Sequence, residues 1–317
     1  MKNNDIAVRM KGYEKTNKRY LTYRVPVVLR IDGRAFHTFT KGFAKPFDDE
    51  ILLKAMRNTM KYLCENIPGC VLGYTQSDEI TLVLTDYNDI NIEPWFGYCQ
   101  NKLESITASM ATMVFNRAFA EAYDNYQERL QFAFQYYDNI SGNLAYQVMM
   151  EKDNNRREML KSIERTVDSN LDIITHKIKT LTEKYKQKLY TAIFDCRAFN
   201  IPKDDVCNNL IWRQQDATRN SIQQVGHAYF KHSEIDNLSC DEIQEKLFQE
   251  KNINWSKYPT HLKRGSCCVK RPVFISPEEI QKKNPKYNGE GITREKWIID
   301  KEIPIFTQDR EYIENLI

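Results

Sequence analysis

Two short acidic segments carry the strongest chemical signal in the sequence. Asp32 closely follows an apolar run at 25–29, and Asp78 and Glu79 lie between the apolar runs 71–74 and 80–84. Carboxylates at the ends of buried strands are costly unless something compensates their charge. Mg²⁺ is a suitable compensation, because it favours one or two carboxylates together with substrate phosphates. These acids therefore indicate phosphoryl or nucleotidyl transfer.

The elements around the acids predict how they meet. Alternating and helical apolar patterns predict the following strands and helices, in chain order: strand 24–31, helix 48–65, strands 70–76 and 79–85, helix 95–137, strand 189–195. This order, β-α-β-β-α-β, is the split βαβ or ferredoxin-like arrangement. In that topology the end of the first strand lies beside the central hairpin, so Asp32 and Asp78 can face the same metal pair. The predicted fold class is α+β.

The rest of the chain adds helices to this core. After a predicted break at 141–143, a helix over about 151–189 has apolar residues every three or four positions, a coiled-coil-like seam. It either packs as a hairpin against the preceding helix, contacts another subunit, or supports RNA binding through its lysines. The predicted domains are a catalytic core at 1–140 and 188–200, a helical insertion or arm at 141–187, and a C-terminal helical and RNA-contact region at 201–317. Within that last region we expect 276–295 to be a polar surface segment.

Bulk composition is that of an ordinary globular protein of 317 residues with a formal net charge of +3, which neither requires nor excludes a basic nucleic-acid face. The eight cysteines form no CxxC pair, and no histidine lies at zinc-finger spacing from them, so we expect reduced thiols. No apolar run approaches the ~20 residues of a membrane helix. The first residues do not resemble a signal peptide, and the expected location is cytoplasmic.

Each acidic segment taken alone is also typical of a plain turn. Together, on strands predicted to be neighbours, Asp32, the Gly33 carbonyl and Asp78 indicate a site for two Mg²⁺ ions about 4 Å apart. Gly33 lets the backbone turn sharply and approach a ligand. Glu79 either ligates a metal or only supplies negative potential.

Basic and polar side chains flank the first acid. Phosphoryl transfer needs cations on a triphosphate, and the candidates are Arg30, Arg34, His37, Lys41 and Lys45. Lys45 precedes a predicted helix start, where phosphate is favoured, and Lys102 lies early in the second long helix. His37 is a candidate general base. Any of these residues taken singly is also consistent with a solvated surface position.

An ordered set of motifs resembles the tRNA-histidine guanylyltransferase family. The matching segments are RIDGRAFH at 30–37, FAKP at 43–46 with Asp48, Tyr74 with QSDE at 76–79, Lys102-Leu103 with Ser109, FDCR at 194–197 and WRQ at 212–214. The resemblance covers roughly residues 20–120 and 188–270. It implies a polymerase-palm-like fold and addition of nucleotides in the 3′ to 5′ direction. ATP or GTP activates a tRNA 5′-monophosphate, and the 3′-hydroxyl of an incoming nucleotide then attacks it, with two Mg²⁺ ions as cofactors.

The resemblance also implies roles for single residues. Asp32, Gly33 and Asp78 would hold the metals with Glu79 beside them, and His37 would assist nucleotidyl transfer. The expected nucleotide-binding residues are Gly33, Arg34, Ala35, Phe36, His37, Lys45, Ser77 and Lys102, of which Lys45 and Ser77 act in 5′-activation. The candidate RNA contacts are Arg30, Arg213, Asn220, Lys263 and Arg264.

One departure from the family pattern affects the expected substrate. Members that add guanosine to tRNA-His have His-Ile-Asn-Asn where this chain has Thr218-Arg219-Asn220-Ser221. The chain therefore looks like the guanylyltransferase-like branch, which restores missing 5′ nucleotides of truncated tRNAs against the template strand. Alternatives are guanosine addition to tRNA-His, a non-catalytic RNA-binding palm protein and a nucleotidyl cyclase or signalling synthase. The family is typically tetrameric, so we expect a homo-oligomer.

Overall fold

The computed structural model describes residues 4–16, 18–88 and 91–317. Within these ranges six strands form one antiparallel sheet in the spatial order β4-β1-β3-β2-β5-β6. The strands are β1 Val27–Gly33, β2 Cys70–Gln76, β3 Glu79–Leu84, β4 Phe194–Asn200, β5 Ser266–Ile275 and β6 Ile292–Asp300.

Helices cover both faces of this sheet. Their bounds are α1 Asn4–Lys15, α2 Phe36–Phe39, α3 Leu52–Asn66, α4 Gln100–Met150, α5 Asn154–Lys186, α6 Lys203–Tyr229, α7 His232–Ile235, α8 Cys240–Lys251, α9 Thr260–Arg264, α10 Pro277–Lys283 and α11 Glu311–Glu314, with single 3₁₀ turns at Trp95–Tyr98 and Trp255–Lys257. None of the helices in the described ranges is both long enough and apolar enough to span a bilayer.

The two faces of β1 have different surroundings, because successive side chains of a strand point to opposite sides. Val27, Leu29 and Ile31 are fully buried in the main core, which α3 and α4 complete. On the other face, α6 covers β2, β3 and β5 through a second core that includes Tyr74 and Leu210. The polar residues of β1 on this second face therefore lie beside α6 rather than inside a core.

The β-α-β-β-α-β order and the α+β class are confirmed. The central hairpin turns at Ser77 and Asp78 as predicted, since Gln76 pairs with Glu79. The last core strand begins at Phe194 rather than 189, because residues 188–191 form a hydrogen-bonded turn in which the Thr191 N–H lies 3.3 Å from the Lys188 carbonyl.

The C-terminal region is helical only in part. The sequence also predicts a small turn and strand at 262–269, which coincides with the start of β5, but the remainder of β5 and all of β6 correct the helical expectation for 201–317. β5 and β6 extend the same sheet, and β6 occupies part of the segment expected to be polar surface. Charged residues such as Arg294 and Lys296 interrupt the alternation of apolar residues by which a strand is predicted from sequence. β6 lies at the edge of the sheet, where burial and hence apolar alternation are weak.

The helical arm also differs in its boundaries. α4 runs unbroken through 141–143 to Met150, so the expected break there is wrong. Gly142 in an exposed helix interior costs only about 1 kcal/mol relative to alanine, too little to end a 51-residue helix. The chain reverses at 151–153, where the Asp153 carboxylate accepts a hydrogen bond from the Arg156 N–H (2.8 Å) and caps α5. α5 then packs back along α4, as the hairpin alternative predicted.

Candidate active site

The end of β1 and the tip of the central hairpin touch. The Gly33 N–H donates to the Asp78 carbonyl at 3.1 Å, and the β1–β3 register pairs Asp32 with Glu79. The two acidic segments therefore meet at the same end of the central strands, as the predicted topology requires.

The acids at this end of the strands raise one another's pKa. Burial and the nearby Asp195 raise the pKa of Asp32, although Arg30 and Arg197 oppose the shift. Burial raises the pKa of Asp78, and the Asp32 charge adds to that rise. Partly desolvated carboxylates that repel each other create a negative potential that a bound cation would relieve.

The donor set fits Mg²⁺. Among the described residues, no group of three or more His, Cys, Asp or Glu side chains is arranged to enclose a metal. Mg²⁺ does not need such a cage, since it takes one or two carboxylates and completes its shell with waters and substrate phosphates. Asp32, Asp78 and the backbone carbonyl of Gly33 are the candidate ligands at this position.

Gly33 is required for a different reason from the one expected. A Cβ at this position would lie 2.3 Å from the ring of Phe36, so no larger residue fits without moving that ring. The left-handed turn that follows the strand is formed by Ala35 (φ 54°) instead. The absence of a Cβ at Gly33 thus leaves room for the Phe36 ring to pack against the backbone.

The β1–β4 ladder adds a third acid that the sequence reasoning did not select. Asp195 pairs with Asp32, and Arg197 pairs with Arg30 two positions away. Directly opposed like charges destabilise a sheet. The acidic pair Asp32 and Asp195 and the basic pair Arg30 and Arg197 each place like charges opposite one another, so both pairs lower the stability of the sheet. The mirror-image patterns Arg-x-Asp on β1 and Asp-x-Arg on β4 were the signal available in the sequence. Such rows suit a cation held beside phosphate groups.

A cavity of about 650 Å³ opens next to the hairpin tip. The predicted residues that line it are Gly33, Ala35, Phe36, His37, Lys45, Ser77, Asp78 and Asn220. Its volume is in the range of small-ligand pockets. His37 lies near enough to Asp78 for the two side chains to interact electrostatically. The structure therefore places most of the predicted nucleotide-binding residues around one cavity.

One wall of this cavity was not anticipated. Gln223, Gln224 and His227 line it from α6, together with Asn220. The spacing of these residues (i, i+3, i+4, i+7) places them on one face of the helix. Asp48 closes the cavity from the start of the segment that leads into α3, and its Oδ1 accepts a hydrogen bond from the Ile51 N–H (3.1 Å).

Glu79 is held by an arginine. The Arg213 Nε lies 2.8 Å from Glu79 Oε1, and the two side chains are only 8% and 10% exposed. A second contact joins Arg213 to Asp216 at 2.6 Å. Arg213, expected to contact RNA, is instead buried against the catalytic hairpin. The pairing occupies Glu79 Oε1 and offsets the charge of the carboxylate, so both alternatives for Glu79 remain open.

The remaining predicted residues do not line this cavity. The Lys102 ammonium is 5.5 Å from the Phe96 ring centroid at the start of α4, and Lys102 is not among the lining residues. Lys263 lines an adjoining smaller cleft and donates to the Ser256 carbonyl at 2.6 Å. Arg34 is exposed, and its N–H donates to the Ile193 carbonyl (2.9 Å). Arg264 is half-buried behind this cleft, where its carbonyl accepts from the Tyr74 hydroxyl (2.7 Å).

The chain is similar to several known proteins. A family model described as tRNAHis guanylyltransferase matches residues 7–202. A solved bacterial tRNA(His) guanylyltransferase-like protein in complex with ATP is 34% identical, with a TM-score of 0.67, over 98% of this chain and 99% of its own. The bacterial protein in complex with GTP is 33% identical, with a TM-score of 0.64, over 98% of each chain. The probable tRNA(His) guanylyltransferase of Dictyostelium discoideum is 24% identical over 85% of this chain and 84% of its own.

Proposed function

The chain belongs to the tRNA(His) guanylyltransferase family, and we propose that it is a template-dependent 3′–5′ nucleotidyltransferase that repairs or extends the 5′ end of tRNA. The observation that carries the proposal is the contact between Gly33 and Asp78, which brings the acids of β1 and the hairpin together beside a nucleotide-sized cavity. We also propose that the sheet and its helices correspond to a polymerase palm.

The proposed reaction has two steps. In the first, an oxygen of the tRNA 5′-monophosphate attacks the α-phosphorus of ATP or GTP and releases pyrophosphate. In the second, the 3′-hydroxyl of an incoming nucleoside triphosphate attacks the activated 5′-phosphorus of the tRNA and releases AMP or GMP. Each step transfers one phosphorus centre between oxygens, so positioning and charge compensation supply most of the catalysis.

The side chains around the cavity have matching tasks. Lys45 neutralises negative charge on the activating triphosphate, and the Ser77 hydroxyl at the hairpin tip donates a hydrogen bond to it. His37, beside Asp78, accepts the proton that the attacking 3′-hydroxyl releases. When bound at Asp32, Gly33 and Asp78, Mg²⁺ would stabilise the charge on the phosphate oxygens.

The outer residues complete the proposal. Arg30, Asn220, Lys263 and Arg264 are proposed RNA contacts, and Lys102 is a proposed contact to a triphosphate outside the cavity. Arg213 is not proposed as an RNA contact, because it is buried in its ion pairs. RNA binding through phosphate contacts should weaken as salt increases. A homotetramer is the expected assembly, and light scattering of the purified protein tests it.

The replacement of His-Ile-Asn-Asn by Thr218-Arg219-Asn220-Ser221 supports repair rather than guanosine addition. The test compares a tRNA that lacks its first nucleotide with intact tRNA-His, both 5′-monophosphorylated, with Mg²⁺ and each nucleoside triphosphate. We expect faster extension of the truncated tRNA with the template-matched nucleotide. Faster reaction of intact tRNA-His would identify guanosine addition instead. No transfer of label from α-labelled ATP or GTP to either RNA would contradict catalysis altogether.

A further inference from the structure

The wall of the cavity formed by α6 is polar. Asn220 in this wall donates to the Asp216 carboxylate (3.4 Å) and His227 stacks on His232, whereas the two glutamines between them have no such contacts in the part of the chain that the structure describes. Gln223 and Gln224 are exposed to the cavity, and within the described ranges neither side-chain amide forms a hydrogen bond. Gln214, on the same helix, shows the contrast. Its buried amide donates to the Pro304 carbonyl and accepts from the Phe306 N–H, both at 2.9 Å. One glutamine of α6 thus holds the fold together, whereas the pair at 223–224 keeps its donors and acceptors free.

The opposite side of the cavity differs in chemistry. Lys45 and Ser77 present a cation and a hydroxyl, which suit phosphate. The rings of Phe36 and Phe43 and the side chain of Leu52 add apolar surface between the two sides. A nucleotide whose phosphates lie at the hairpin tip would therefore place its base between this apolar surface and the amides of α6.

We propose that Gln223 and Gln224 read the edge of the purine base of the activating nucleotide, and that they accept adenine and guanine alike. This inference rests on the proposed function, because it concerns the nucleotide used in the first step. The two glutamines are neutral, so they carry no charge that selects one purine; His227 lines the same wall about one turn further along α6.

The chemistry of the carboxamide explains the tolerance. Adenine offers an acceptor at N1 and a donor at the 6-amino group, whereas guanine offers an acceptor at O6 and a donor at N1. A glutamine amide carries both a carbonyl acceptor and an NH₂ donor. Rotation of the terminal amide by half a turn exchanges the two, so the same side chain pairs with either base. A site with fixed donors would reject one of them.

Replacement of the amide by a carboxylate tests the proposal. Gln223→Glu and Gln224→Glu remove the donor and leave only acceptors. A carboxylate accepts from guanine N1–H and the 2-amino group but repels the lone pair of adenine N1. In the activation assay with 5′-monophosphorylated tRNA, at least one variant should raise the ratio of kcat/KM for GTP to that for ATP by about tenfold or more, the effect of a good bidentate pair. Gln215→Glu is the matched control, because Gln215 is an exposed residue of the same helix that does not line the cavity. It should leave the ratio unchanged.

Binding measurements separate this inference from the proposed function. Equilibrium dialysis with Mg·ATP and Mg·GTP gives the ratio of Kd values without any need for tRNA or turnover. If the wild type transfers label from neither nucleotide, the proposed function fails while the Kd ratio still tests the base contact. If the wild type uses both nucleotides but both single variants and the double variant keep the wild-type ratio within about twofold (about 0.4 kcal/mol), the base contact is refuted and the proposed function stands. All three positions are exposed, so thermal melting of the variants should match the wild type.

Discussion

The ion pair between Arg213 and Glu79 leads to a quantitative prediction. Both side chains are about nine-tenths buried, and the Nε–Oε1 distance is 2.8 Å. Arg213→Met keeps much of the side-chain volume but leaves the Glu79 carboxylate buried without its cation. Removing one partner of a buried ion pair typically costs about 3–5 kcal/mol. We therefore expect the free energy of unfolding, measured in urea at pH 7.5, to fall by that amount.

A double-mutant cycle assigns this loss to the pair. Glu79→Gln combined with Arg213→Met leaves no buried charge unpaired, so the double variant should be more stable than the sum of the single losses predicts, by roughly 1–3 kcal/mol. The matched surface control is Lys161→Met, which breaks an exposed pair with Glu158 (2.8 Å). Exposed pairs contribute about 0–1 kcal/mol. If Arg213→Met cost no more than Lys161→Met, or if the cycle were additive, the reasoning about a buried clamp on the hairpin would be refuted.

Three further predictions concern the catalytic machinery and its surroundings. Asp32→Asn and Asp78→Asn should each lower kcat for label transfer by about a hundredfold or more while melting near the wild type; near-normal turnover of either variant would contradict the metal assignment. Lys45→Ala should slow activation of a 5′-monophosphate but spare extension of a tRNA that already carries a 5′-triphosphate, and an equal loss on both substrates would exclude that division of labour. Burial raises the pKa of Asp48 to about 6 from 3.8. Because the folded state then binds this proton more tightly than the unfolded state, the contribution of Asp48 to stability is greatest below pH 4 and falls by about 3 kcal/mol as pH rises to 7. Asp48→Asn should lack this component of the pH dependence in urea titrations, and a wild-type-like slope in the variant would rule it out.

The meeting of the two acidic segments was predictable because its signals are local. The alternating strands around Asp32 and Asp78, a two-residue turn and a known connectivity rule are enough to bring the acids together. The loop that carries Lys45 follows from the same reasoning.

The partners of these residues were not predictable, because they depend on how distant elements dock. In the sequence, Arg213 has the pattern of an ordinary polar residue of a helix. Its burial follows only from the packing of α6 over the hairpin. Asp195 depends on the register of β4 against β1, which a shift of the strand by one or two residues would change. The wall of the cavity formed by α6 depends on how that helix is rotated about its axis when it packs on the sheet. Sequence periodicity fixes which face of a helix is apolar, but not what its polar face will meet.

The root of the long hairpin has a consequence for how this chain can vary. Tyr185, near the end of α5, packs on Phe43 with ring centroids 4.4 Å apart, and its hydroxyl accepts a hydrogen bond from the Ala44 N–H (3.2 Å), next to Lys45. The distal part of the hairpin has no such ties, and side chains such as Phe132 and Ile174 are exposed there. Shortening both helices by matched whole turns from the tip should leave the Lys45 loop intact, whereas any trimming that removes Tyr185 takes away the wall against which that loop is braced. The hairpin of α4 and α5 can therefore vary in length at its tip, whereas its base at Tyr185 is constrained by the contact with the Lys45 loop.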